Sequence, residues 1–255
     1  MSTILPIPSF IRKIAILALL SLLGVAPAAS AASAEQMPNY DHWSQLPNDS
    51  LNRMAGRFLD PQCNPDSALL CYTIVANRYY TYRPKGEALH EIIRAMNNLG
   101  YLYAFLYFNY EKAYAYSAMA LKISKEQGYK GSLPYIYQNL ANIYAIQNDL
   151  DYNHPNGKAI IANYRKAFYA ALAIRDDRIL TIILNNLLGT AIDYGFLDQC
   201  RREISIYSRL RIPARTPLRA HTKSLCAAAQ EGSHNHWQKA ADIMGRALID
   251  PTPDT

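Results

Sequence analysis

From about residue 66 onward, apolar residues recur at spacings of three and four, the period of one buried helix face. Breakers divide this pattern at regular distances. Ser67 to Tyr80 reads as a helix behind an N-cap at Asp66, stopping before Arg83-Pro84-Lys85-Gly86. Helices are predicted next over about residues 87–105 and 110–127, the second ending at Gly128. A loop over residues 128–132 follows, and Pro134 then suits the first turn of a helix reaching about Gln147. Asn148 to Gly157 is the longest expected loop. Helices are expected from Lys158 to Ile174, from Asp176-Asp177 to Tyr194, and from Asp198 to near Arg211. Two more fit, from about Pro217 to Gln230 and from Asn235 to Ile249. Little in this region alternates with period two, so strands have no source. The expected fold is all-α.

These helices echo one another. Asn97-Asn98-Leu99-Gly100 recurs as Gln138-Asn139-Leu140-Ala141 and again as Asn185-Asn186-Leu187-Leu188, with 41 and 47 residues between matching leucines. Each match falls in the first helix of a pair, and a helix with spaced alanines follows it. Self-similarity at this period is what helical solenoids show, because one helix pair cannot bury its apolar face alone.

At these residues the chain resembles the tetratricopeptide repeat family. Leu99-Gly100-x-x-Tyr103 is similar to the family's first-helix signature, and Leu140-Ala141-x-x-Tyr144 repeats it with Ala for Gly. Tyr110-x-x-Ala113 with Ala120-Leu121 is similar to the second helix, as is Trp237-x-x-Ala240 with Ala247-Leu248 and Pro251. The third repeat departs from the pattern, with Leu188 at the Gly position and Ile192 near the Tyr position. The period also exceeds the family's usual one, and an extra turn on each helix, about seven residues together, covers the difference for the 41-residue spacing. The stretches running from Asp66 to Tyr80 and from Ala95 to Ser124 are similar, more narrowly, to extracytoplasmic repeat arrays of bacterial membrane-anchored regulators.

The resemblance implies a tetratricopeptide-like α-solenoid of antiparallel helix pairs, about four repeats, whose first helices line a concave face. Carried onto this sequence, it points to Arg94, Asn97 and Tyr101 around Leu99, to Tyr135, Gln138 and Asn142 around Leu140, and to Asn185 before Leu187. Those seven residues are the candidate ligand groove. Asn and Arg would orient an extended peptide, and Tyr would supply contact area at low entropic cost.

Composition changes this picture in three ways. Half the residues are hydrophobic, enough for a real core. The net charge of +6 is diffuse, since no run of like charge occurs and the four arginines from Arg209 to Arg219 are interrupted by Pro213 and Pro217. Nucleic acid is therefore not an expected partner. Arg12-Lys13, the apolar stretch Ile14 to Ala29 and the small residues up to Ala34 describe a secretory signal peptide over residues 1–34. The reading divides the chain into that leader, a partly helical lead-in over residues 35–65 and a repeat domain over 66–255. The mature chain is expected to be exported, periplasmic or secreted, and not membrane-spanning.

Cys63, Cys71, Cys200 and Cys226 match no zinc template. Cys200 and Cys226 fall on neighbouring predicted helices, where a disulfide is open to them; buried free thiols are the alternative. Seventeen of the twenty tyrosines lie between Tyr72 and Tyr169, placing them where they fill gaps between repeats, with some left to line a groove. No catalytic constellation is present in the sequence. Leu89-His90-Glu91-Ile92-Ile93-Arg94 starts like a zinc-protease helix, but Arg94 stands where the second His is needed. His234-x-His236 sits in a loop, and His42, His154 and His221 stand alone. No cofactor is expected. The expected function is binding of a protein or peptide in the cell envelope; a scaffold using its repeat edges and a helical-repeat enzyme acting on envelope polysaccharide are the alternatives.

Overall fold

The computed structural model describes residues 40–60, 62–82, 84–150, 157–210, 212 and 217–233. The leader expected over residues 1–34, His154, the His234–His236 loop and the helix expected from Asn235 lie outside these residues. Among the described residues ten α-helices occur in order: α1 Tyr40–Trp43, α2 Asn48–Leu59, α3 Pro65–Tyr82, α4 Gly86–Phe105, α5 Tyr110–Glu126, α6 Leu133–Leu150, α7 Gly157–Ile174, α8 Asp177–Asp193, α9 Arg201–Arg209 and α10 Pro217–Ser233. Short 3₁₀ turns, Lys130–Ser132 and Leu197–Cys200, lead into α6 and α9. No strand occurs among the described residues, and no described helix is long and apolar enough to cross a membrane.

Local chemistry sets the boundaries. Asn109 caps α5 by accepting from Lys112 N–H, and Asp176 caps α8 by accepting from Arg178 and Ile179 N–H. The α3 cap differs from expectation. Asn64 Oδ1, not Asp66, accepts from Ser67 N–H at 3.1 Å, and Pro65 takes the first helical position, where its missing N–H costs nothing. Helix α6 also runs past Gln147 to Leu150, shortening the loop expected there. The helix expected from Asp198 splits instead into the 3₁₀ turn and α9.

Successive helices from α2 to α8 pack side by side, with α4 on α5 and α6 on α7 the most extensive contacts. Alternate helices touch as well: α2 meets α4, α4 meets α6, α6 meets α8 and α8 meets α10. The result is an all-helical, repeat-like stack in which the even-numbered helices form a row. The lead-in belongs to it, since α2 packs against α3 and α4, so the core passes residue 66 without a break. Arg78 of α3 clasps that segment by donating to the carbonyls of Ser44 and Leu46 at 2.7 and 2.8 Å.

Two large apolar clusters make the core. One runs from Trp43 to Ile136, the other from Ala141 to Ala229, and they divide within α6. Gly100 lies against α5, where an added Cβ would stand 2.2 Å from Ser117 Oγ. Tyrosine rings fill the spaces between elements: Tyr103 of α4 stacks on Tyr116 of α5 at 5.6 Å, and Tyr114 of α5 meets Tyr144 of α6 at 5.0 Å. Leu188, where Gly100 and Ala141 stand in the other repeats, is fully buried. The helix that follows it is the nine-residue α9, which packs on the 3₁₀ turn and α10 instead of lying along α8 as α5 lies along α4.

Candidate functional site

The seven groove candidates all lie on the row of even-numbered helices: Arg94, Asn97 and Tyr101 on α4, Tyr135, Gln138 and Asn142 on α6, and Asn185 on α8. Their environments diverge. Arg94 pairs with Glu91 at 2.9 Å, and the same carboxylate oxygen receives Asn52 Nδ2 of α2 at 2.6 Å. Asn52 also donates to the Glu91 carbonyl at 2.9 Å, so this network ties α2 to α4. Glu87, His90 and Glu91 bring ligand atoms within 4.8 Å, but the Glu91 carboxylate is already engaged and Glu87 is exposed. Arg94 thus neutralises the buried Glu91 at the very position that broke the zinc-protease pattern.

Asn97 is buried, and Asn139 of α6 donates to its backbone carbonyl at 3.1 Å. Asn142 faces α7, where its Oδ1 accepts from Tyr164 OH at 2.6 Å. Asn97 Oδ1 and Asn185 Oδ1 are buried without a hydrogen-bond partner among the described residues. Tyr101 is half-buried and stacks on Phe105 at 5.3 Å; burial raises its phenol pKa. Gln138 is half-buried, and Tyr135 is exposed at 46%. The Tyr135 pKa is raised first by desolvation and then by the charge of Asp176 at the entry to α8. Arg94, Tyr101, Tyr135 and Gln138 therefore keep solvent-accessible surface on the row.

A second feature was not anticipated. An open cleft of ≈ 470 Å³ is lined by Tyr137 of α6 and by Ala162, Arg165, Lys166 and Tyr169 of α7. Lys125 of α5 and Lys166 each hold an ammonium 5.8 Å from the Tyr137 ring centre, and the Arg202 guanidinium of α9 lies 5.6 Å from that of Tyr169. Beneath them Glu203 is fully buried, and its Oε1 accepts from Arg165 Nε and Tyr169 OH, both at 2.8 Å. That hydrogen bond raises the Arg165 pKa, while burial, then Glu203, raises the Tyr169 phenol. Its basic residues lie far apart in sequence, so charge clustering could not reveal the cleft. The one local signal is Arg165-Lys166 three and four residues before Tyr169, which sets one helix face.

Cys200 and Cys226 are buried free thiols, pushed up to about 11 and about 12 by desolvation. Comparison with protein-family models, with curated proteins and with solved structures found no match.

Proposed function

We propose that the chain is an exported α-solenoid of tetratricopeptide type that works by binding a protein or peptide of the cell envelope, without catalysing a reaction. The observation that carries this reading is the row α2, α4, α6, α8 and α10, in which each helix contacts the next but one. Such a row sets side chains from successive helices side by side on one continuous surface, the arrangement that repeat proteins use for extended ligands. On α4 and α6 that surface carries Arg94, Tyr101, Tyr135 and Gln138, a guanidinium and an amide beside two aromatic rings. Guanidinium and amide groups recognise peptide carbonyls and carboxylates, and rigid tyrosines add area at small entropic cost. In this reading the leader over residues 1–34 is removed and the mature chain begins at Glu35.

The test is capture from envelope extract by the immobilised mature chain, beside a Tyr135→Glu, Gln138→Ala variant. Neither substitution touches a fully buried side chain, so matched thermal unfolding is expected. A protein held by the wild type and released by the variant supports the row. Equal retention by both moves the interface to the repeat edges and favours a scaffold.

A further inference from the structure

Three helices bring four cations to one cleft. Lys125 comes from α5, Arg165 and Lys166 from α7, and Arg202 from α9, and three of the four stand over the rings of Tyr137 or Tyr169. Among the described residues, the carboxylate that answers them is Glu203. Glu203 is fully buried and spends its Oε1 on Arg165 and Tyr169, so the solvent-facing side of the cleft is positive. Glu126, beside Lys125, lies 4.0 Å from Lys122 instead.

The site is preorganised. Glu203 grips Arg165 through Nε, which orients the guanidinium before any ligand arrives and lowers the entropic cost of binding. Ala162 is the small side chain in the lining and leaves room between the two tyrosines. Charged groups set around aromatic rings suit a ligand that carries anions on short aliphatic stems. Glutamate and aspartate side chains have that form: methylenes for the rings and carboxylates for Lys and Arg. A phosphate backbone would call for a longer basic track, whereas these cations are confined to one cleft.

We propose that this cleft, set by α5, α7 and α9 around Tyr137, is a binding site for a carboxylate-rich peptide segment. It takes only Tyr137 from the row α4, α6, α8, and its test does not depend on that row having a partner.

The experiment uses the full mature chain and a fluorescent ten-residue Glu/Ser peptide, with the matching Gln/Ser peptide as control, read by anisotropy at low and raised salt. The acidic peptide is expected to bind, the neutral one not, and affinity to fall as salt rises. Lys166→Glu and Arg202→Glu, both at exposed positions, are each expected to weaken binding at least tenfold. Lys85→Glu, an equal charge change at the start of α4, is expected to alter it less than twofold. Equal loss from Lys85→Glu, equal binding of the neutral peptide or no binding of the acidic one would overturn the proposal. Displacement of the peptide by an equal concentration of pyrophosphate would assign the cleft to phosphates and overturn it as well.

Discussion

At Gly100 an added Cβ would lie 2.2 Å from Ser117 Oγ and 3.1 Å from the Ala113 carbonyl oxygen. Alanine gains about 1 kcal/mol of helix propensity over glycine, but overpacking a close interhelical contact costs about 1–3 kcal/mol. Gly100→Ala is therefore expected to lower stability by about 1 kcal/mol in denaturant unfolding, balancing those two terms. Ser117 Oγ is buried without a hydrogen-bond partner among the described residues, so Ser117→Ala should cost little alone and recover most of the loss in the double variant. Additive losses would show that Ser117 is not what limits the approach. The thiols give a second test at this scale. Cys71 and Cys226 are pushed up to about 12 and Cys200 to about 11 by burial, while Cys63 is exposed. One thiol per chain should react with a maleimide in the native state and four after denaturation; two after denaturation would mean that Cys200 and Cys226 are bonded. Burial also raises the phenols of Tyr72, Tyr101 and Tyr207. Groups whose folded pKa is raised keep their stability below the unfolded pKa, about 9 for the thiols and about 10 for the phenols, and lose it above. The denaturation midpoint should begin to fall near pH of about 9 with the three buried thiols and fall further beyond about 10, in step with phenolate absorbance.

Among the elements, most helix boundaries that rest on caps and breakers were legible. Gly128 and Gly195 follow α5 and α8 at φ +73° and +70°, and Tyr129 and Phe196 N–H donate back to the carbonyls of Ser124 and Ala191. Helix α7 closes in the same way with Arg175 at φ +56°, and Asp176 N–H donates to the Ala171 carbonyl. No glycine marks that end, yet it fell where expected because Asp176 caps the next helix. Arg175→Gly relieves a left-handed conformation that costs a side chain about 1–2 kcal/mol and should stabilise the chain by about 0.5–1 kcal/mol, checked by thermal unfolding. The start of α3 was misplaced because Asn64 and Asp66 are equally good caps by type; the choice turns on Pro65, which fits the first turn and not its interior. The role of α2 was missed for another reason. Its pairing with α3 and α4 rests on Leu51 and Ala55 in the core and on polar contacts of Asn52 and Arg78 with partners 30 to 40 residues away, which no local period encodes.

For the whole molecule, the repeat was legible and the surfaces it builds were less so. The motif at Leu99, Leu140 and Leu187 marks α4, α6 and α8, and those three helices touch in sequence along the stack. Which side chains leave that row for its interior was not legible. Asn142 turns to Tyr164 and Asn97 is buried, because pairing within a helix pair competes with exposure on the face. The cleft around Tyr137 was invisible for the same reason, since its cations meet only after folding. Site-specific photo-crosslinking in envelope extract tests the row as the binding face. The crosslinker is placed in turn at Tyr135 and Gln138 on α6, and at Asn77 and Thr81, exposed positions of α3. The account predicts one shared partner band from the two α6 positions and none from the α3 positions; a band from α3 alone, or none from α6, would contradict it.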